Sequence, residues 1–314
     1  MPELRNLVVV LGDQLDLSAA AFDGFDASID AVWMAEVAGE TAHVWSGKPR
    51  IVLFLAAMRH FALEVQTAGF ALHYTRMDTS GNAGSLQTRL QADILRLRPS
   101  RLVMTEPGDW RVLQAIKAAS EANDLPLDVR ADRHFFSSVS EFAAHAKGRK
   151  SLRMEYFYRE QRKRHEVLMQ GDEPIGGQWN FDAENRKAFS AAGPGKVPAR
   201  KTFEPDALTR EVIALVNARF AAHPGRLESF AWPVTRAQAL QSLHTFIKER
   251  LPLFGDYQDA MWPGDPWLYH AHLSAALNLK LLNPREVVAA AQAAYLDGHA
   301  PLASVEGFIR QILG

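Results

Sequence analysis

Short, continuous apolar runs alternate with stripes of helical period through the first 130 residues. Leu7 to Leu11, Ala31 to Val37, Phe70 to Met77 and Arg101 to Thr105 each read as strands, with a weaker run at Pro126 to Arg130. Between them, Ile51 to Gln66 and Leu86 to Leu97 repeat apolar residues at the 3.6-residue period. Strands apolar on both faces and joined by crossover helices predict a doubly wound parallel sheet, an α/β, Rossmann-like N-terminal domain. Ligands of such sheets sit at the carboxyl ends of the strands, near the point where strand order reverses. That rule selects three loops: Gly12-Asp13-Gln14, Glu36 to Glu40, and Thr105 to Arg111.

From Phe135 the pattern turns helical, with a long helix expected over Leu152 to Met169. Gly171 to Arg200 is rich in Gly, Pro and polar residues and reads as an interdomain linker. Helices alone are expected beyond it, over Pro205 to Ala222, Thr235 to Arg250, Leu268 to Leu282 and Pro284 to Leu296. The expected organisation is an α/β domain over 1–134, a connecting helix and linker over 135–204, and the start of an all-α domain over 205–314. Val305, Phe308, Ile309 and Ile312 fall at i, i+3, i+4 and i+7 at the end of the chain. With no later element to cover this stripe, the reading is an incomplete domain with an exposed apolar face.

Composition narrows the chemistry. Hydrophobic residues make up 47% and charged residues 23%, as in ordinary globular proteins. With 35 Lys+Arg against 36 Asp+Glu, a polyanionic partner would need a local basic patch. Zero Cys excludes disulfides, thiol nucleophiles and cysteine-ligated clusters. The 11 His show no metal-ligand spacing, so no metal site is expected. No signal peptide and no apolar run near the ~20 residues of a membrane span are visible, which points to the cytoplasm. No obligate protein partner is evident.

The residues suggest four candidate sites, each with a structural alternative. Gly12-Asp13-Gln14 lets backbone approach a ligand and offers polar groups, but on spacing alone it reads as an Asx-stabilised turn; no Gly-x-Gly-x-x-Gly is present. Thr105-Glu106-Pro107-Gly108-Asp109-Trp110-Arg111 is equally well a ligand loop or a turn followed by a helix cap. Lys147 to His165 holds eight Lys/Arg around Tyr156-Phe157-Tyr158. This suits phosphate contacts and stacking, although such runs are more often solvated helix faces. The DNA-contact candidates there are Arg149, Lys150, Arg153 and Arg162. Finally, His270-Ala271-His272-Leu273-Ser274 opens an apolar helix with polar donors, suited to a pyrophosphate or serving as a plain cap.

Several of these motifs occur together, in the same order, in one family. Leu11-Gly12-Asp13-Gln14-Leu15, Thr105 to Arg111, Leu273-Ser274 and Glu306-Gly307-Phe308-Ile309-Arg310-Gln311-Ile312-Leu313-Gly314 resemble the bacterial photolyase-related flavoproteins, the iron–sulfur branch of the cryptochrome/photolyase family and its prokaryotic (6-4) type. Asp109 stands where the family usually has Glu, and the Ser before the family's Leu-Ser pair is lacking. The resemblance implies a 6,7-dimethyl-8-ribityllumazine antenna held by Gly12, Asp13, Gln14, Glu40, Glu106, Gly108, Asp109 and Trp110. It implies FAD contacts from Tyr257, His272, Leu273, Ser274, Glu306, Ile309 and Gln311. It also implies light-driven, FAD-dependent repair of UV-damaged DNA, by electron transfer from the reduced flavin to a flipped-out lesion. In the family a Trp-Arg-Glu and most of the flavin domain follow the point where this chain stops. The expectation is therefore an inactive N-terminal fragment that binds FAD weakly or not at all and cannot assemble the iron–sulfur cluster. The alternative is a non-enzymatic antenna-binding or photosensory module.

Overall fold

The computed structural model describes residues 4–82 and 84–313. They form two compact units, Met1–Arg133 with Phe203–Thr235 and Leu279–Leu281, and His134–Thr202 with Arg236–Asn278 and Leu282–Gly314.

The first unit is built on β1 (Asn6–Val9), β2 (Ala31–Ala35), α1 (Ala38–His43), α2 (Lys48–Thr67), β3 (Ala71–Thr75), α3 (Leu86–Leu97), β4 (Arg101–Thr105), α4 (Trp110–Glu121) and β5 (Leu127–Arg130). The five strands form one parallel sheet in the order β3-β2-β1-β4-β5, with Leu7 opposite Ala31 on one side and Leu102 on the other. The central strands are mostly apolar because both faces are covered. Leu7, Val9, Trp33, Leu102 and Met104 pack with Leu90, Ile94 and Ile116 of α3 and α4. Val8, Val32, Met34 and Val103 alternate with them, point the other way and are equally buried. Trp33 adds a buried polar tie, its indole N–H donating to Asp93 at 2.9 Å.

Local chemistry sets the helix ends. Ser85 accepts from the Thr88 amide at the start of α3, and Arg98 closes that helix in the left-handed region at φ 50°. Asp109 caps α4 by accepting from the Arg111 amide.

The second half of the chain contributes α5 (Val139–Ala146), α6 (Met154–His165), β6 (Met169–Gln170), β7 (Glu173–Pro174), α7 (Ala207–Arg219), α8 (Arg236–Glu249), α9 (Leu251–Tyr257), α10 (Ser274–Asn278), α11 (Pro284–Leu296) and α12 (Leu302–Leu313). Of these, α7 belongs to the first unit and lies against α2, where Asp206 and Thr209 meet the imidazole of His60 at 3.3 Å. The others build the second unit around α12, which packs on α9, α11 and α6.

Three expectations change here. The helix expected over Leu268 to Leu282 shrinks to the five residues of α10, because Leu268, His272 and Lys280 all take positive φ. The helix expected over Leu152 to Met169 ends at His165, where Glu166 turns left-handed and β6 and β7 then form a short hairpin. The stripe expected to be bare is largely covered: Val305 and Ile309 are fully buried, and Phe308 packs between Phe246 and Phe254 at ring separations of 4.6 and 5.4 Å. Close approach of α9 to α12 makes this possible. A Cβ on Gly255 would overlap Asn185 Oδ1 and sit 2.8 Å from Ser304 Cα.

Candidate functional site

Strand order reverses between β1 and β4, so the loops after these two strands flank the crevice where an open α/β sheet binds ligands. Gly12 packs tightly there: a Cβ would lie 3.0 Å from the Met58 sulfur on α2, so that side chain would have to give. Gln14 is buried, and its Nε2 donates to the Thr105 and Glu106 carbonyls at 3.2 and 3.3 Å. Its amide ties the two loops together, so its donors are spent inside the protein. Asp13 is half-buried, and burial pushes its carboxyl up, against the pull of Lys280. Lys280 is itself buried and donates to Asp132 at 2.7 Å.

Around the mouth, Glu106, Gly108, Asp109 and Trp110 are exposed, the Trp110 ring at 71%. Lys117 Nζ lies 5.9 Å from the centroid of that ring. Glu40 accepts two hydrogen bonds from Arg111, which also reaches Asp109 at 3.2 Å. The cluster thus offers an open aromatic face, a partly desolvated acid and a line of paired charges, suited to a flat, polar heteroaromatic ligand. Deeper, at the end of β2, fully buried Glu36 accepts from Arg59 at 2.8 and 3.0 Å, from Tyr74 at 2.5 Å and from the Met77 amide at 2.8 Å. This network fixes the loop's base, and burial with the Glu36 charge pushes the Tyr74 phenol well up.

The flavin-side residues differ widely in exposure. Ser274 is exposed at the start of the short α10, and Gln311 is exposed on α12 with Nε2 3.4 Å from Gln258 Oε1. Tyr257 is half-buried, stacked between Phe189 at 4.3 Å and Tyr269 at 5.2 Å. His272 contacts the Trp267 carbonyl at 3.0 Å, and burial together with Arg250 pushes its imidazole down to about 4. Leu273 is core. Glu306 and Ile309 must be withdrawn as ligand contacts, because both are fully buried. Glu306 accepts from the Tyr158 hydroxyl at 3.0 Å and the Phe181 amide at 3.3 Å, and burial pushes its carboxyl up.

Of the basic candidates, Arg149, Lys150 and Arg153 are exposed. Arg162 is corrected: it is fully buried and donates to the Val167, Leu168 and Trp179 carbonyls, so it cannot reach a nucleic acid. Its guanidinium instead closes the turn after α6. Sequence reading closed the second candidate loop at Arg111 without giving that residue a role, and it missed Asp132 and Lys280. Lys280 carries no local signal, being 148 residues from its partner Asp132. Among the described residues, no group of three or more His, Asp or Glu could hold a metal ion. No helix among them is long and apolar enough to cross a membrane.

An α/β unit followed by a helical unit is the architecture of photolyases and cryptochromes. The chain superposes on a bacterial class III photolyase from Agrobacterium tumefaciens with a TM-score of 0.60 at 15% identity, covering 100% of this chain and 57% of that one. It matches a cryptochrome from Synechocystis sp. PCC6803 with a TM-score of 0.57 at 11% identity, covering 100% of this chain and 60% of that one. At such identities the likeness is one of fold. The family follows from sequence: residues 8–232 match the deoxyribodipyrimidine photo-lyase-related protein family, to which the chain belongs. It is also 46% identical over 312 residues to a (6-4) photolyase from Agrobacterium fabrum. That match covers 99% of this chain and 61% of the relative's length. Membership implies FAD as the family's cofactor.

Proposed function

We propose that the first unit binds a ribityllumazine antenna chromophore at the β1–β4 crevice and that the chain is an inactive N-terminal part of a (6-4)-type photolyase, whose full-length relatives carry out light-driven, FAD-dependent repair of DNA. The supporting observation for the second part is 46% identity to such an enzyme across 312 residues. For the first part, support comes from loops at the carboxyl ends of β1, β2 and β4, which bring Asp13, Glu40, Asp109 and the exposed Trp110 to one side of the sheet. Trp110 offers a stacking face, worth ~1–3 kcal/mol against a flat ring. Asp13 and the Glu40–Arg111 pair supply hydrogen-bonding groups for a polyol side chain.

On this reading the 314-residue chain by itself binds FAD weakly or not at all and does not repair DNA. Glu306 and Ile309 are sealed into the second unit, which leaves Tyr257, His272, Ser274 and Gln311 as too small a surface. The same sealing favours an antenna-binding or photosensory module as the second reading. One experiment separates these outcomes. The purified protein is titrated with 6,7-dimethyl-8-ribityllumazine and with FAD, and a (6-4) photoproduct oligonucleotide is then illuminated with blue light in its presence. Lumazine binding without FAD binding or repair is the expected result. Stoichiometric FAD or lesion reversal would overturn the inactive reading, and no lumazine binding would overturn the antenna site.

A further inference from the structure

Tyr158 and Glu306 pair inside the second unit, 1% and 0% exposed, with the phenol donating to Glu306 Oε1 at 3.0 Å. The acid's other oxygen takes the Phe181 amide at 3.3 Å, and Arg310 Nε stands off from Oε1 at 3.7 Å. Burial favours the neutral acid, so the ionised carboxylate is a stronger base than an exposed one. The buried pair of Tyr74 and Glu36 in the first unit differs. Arg59 holds both oxygens of that acid at 2.8 and 3.0 Å, which weakens it as a proton acceptor.

A route leads from Tyr158 to the surface. Arg162 faces two rings, its Cζ 5.7 Å from the centroid of Tyr158 and 5.4 Å from that of Trp179. The rings are no farther apart than the sum of these distances, a span that an electron crosses in one tunnelling step. Three carbonyls pin the guanidinium and so fix this spacing. Trp179 is only half-buried, which opens the route to solvent. Arg159 and Lys163 also lie over its ring, at 5.3 and 5.6 Å. Three cations around one indole oppose a positive charge on it. A hole forced onto Trp179 is driven onward, and Tyr158 can neutralise it by releasing a proton to Glu306. The chain has no Cys, so no thiol competes for the hole.

We propose that Trp179, Tyr158 and Glu306 form a redox relay that takes a one-electron oxidation from a radical oxidant at the surface and holds it as a tyrosyl radical. The oxidant removes one electron from the Trp179 indole and is itself reduced. Tyr158 then returns an electron to the indole while its O–H proton passes to Glu306 Oε1. The O–H bond of the phenol breaks and an O–H bond forms on the acid. A neutral tyrosyl radical remains, hydrogen-bonded to a neutral carboxylic acid. Neither flavin nor antenna chromophore takes part, so the relay stands apart from the function proposed above.

The test is pulse radiolysis of the full 314-residue chain in mildly alkaline buffer with the azidyl radical, which takes an electron from tryptophan and becomes azide. Decay of the indolyl radical should be matched by a concentration-independent rise of the tyrosyl radical, followed by transient absorption and by EPR after freezing. Tyr158→Phe should abolish that rise. Trp179→Phe should abolish it as well, because its ring resists oxidation. Glu306→Gln keeps an acceptor for the phenol but no base, so the indolyl radical should persist. Tyr156→Phe and Tyr74→Phe should leave the rise intact. In the unmutated chain, exchange into D2O should slow it, because the phenol O–H bond breaks as the electron moves. A rise undiminished by Tyr158→Phe, Trp179→Phe or Glu306→Gln would overturn the relay, as would its loss in Tyr156→Phe or Tyr74→Phe. Absence of any D2O effect would overturn it too, and that measurement depends on no variant folding.

Discussion

Arg111 grips Glu40 with both arms of its guanidinium, Nη1 to Oε1 at 2.8 Å and Nη2 to Oε2 at 2.7 Å. The acid that family resemblance marks as a chromophore contact is therefore already engaged by a residue in the first turn of α4. Arg111 also reaches Asp109, the cap of its own helix. One guanidinium thereby ties the end of β2 to the end of β4 across the mouth of the crevice, and it sets which oxygens of Glu40 and Asp109 face a ligand.

Arg111→Ala should barely change stability, because the pair is more than a third exposed on both sides and such pairs contribute less than ~1 kcal/mol. Ribityllumazine affinity should fall about tenfold, equivalent to ~1.4 kcal/mol, as Glu40 loses its orientation. Titration by absorbance or fluorescence checks this. An unchanged Kd would show that the pair is only a surface contact.

Lys280→Met should destabilise the first unit by ~3–5 kcal/mol, since it leaves Asp132 and the half-buried Asp13 without their buried cation. The double change Lys280→Met, Asp132→Leu should recover part of that loss. Urea unfolding at pH 7 measures both. Equal losses in the single and double variants would mean that Lys280 stabilises through packing alone.

At the α9–α12 contact, Gly255→Ala should cost ~1–3 kcal/mol, because the new methyl group meets the Ser304 backbone as well as the Asn185 side chain. Ser304 is held in place, accepting from the Gly255 amide at 3.0 Å. The thermal midpoint should drop by ~3–10 °C. A midpoint within a degree of the wild type would show that the two helices can part without loss.

Periodicity carried most of the fold. The runs at Leu7, Ala31, Phe70 and Arg101 became the sheet's strands, and Leu86–Leu97 and Pro284–Leu296 became helices with the expected bounds. These segments are ruled by burial, which one-dimensional spacing records directly. Failures came where tertiary packing decided. Nothing local distinguishes Arg162, sealed by three carbonyls, from exposed Arg149 in the same basic run. The stripe on α12 looked bare because its cover, Phe246 and Phe254, lies more than fifty residues earlier. Positive φ at Leu268 and His272 broke a helix that hydrophobic spacing had joined. At the crevice, the loops were legible through strand ends and family motifs, while the ties among them (Gln14 to Thr105, Arg111 to Glu40, Lys280 to Asp132) are long-range and left no pattern.

Two titratable groups of the second unit, partly buried His272 and fully buried Glu306, should give opposite pH dependences. His272 is pushed down from 6.5 to about 4, so the native state resists its protonation. Its contribution is present above pH 6.5 and is lost as pH falls toward 4, up to ~2 kcal/mol after allowing for partial exposure. Glu306 is pushed up from 4.5 by burial, so folding favours its protonated form, and its contribution is lost as pH rises from 4.5 through its raised value. Urea unfolding at pH 7.0, 5.5 and 4.5 can separate them through substitutions. His272→Asn tolerates the left-handed backbone at φ 56° and removes the titrating ring. This variant should lose less stability than wild type between about pH 6.5 and 4.5. Glu306→Gln keeps an acceptor for the Tyr158 hydroxyl and abolishes the charge, so it should lose more stability than wild type as pH falls, because it lacks the gain from protonation. Parallel pH profiles for all three proteins would mean that neither burial shifts its group, and that the acid response of this unit arises from its surface carboxylates.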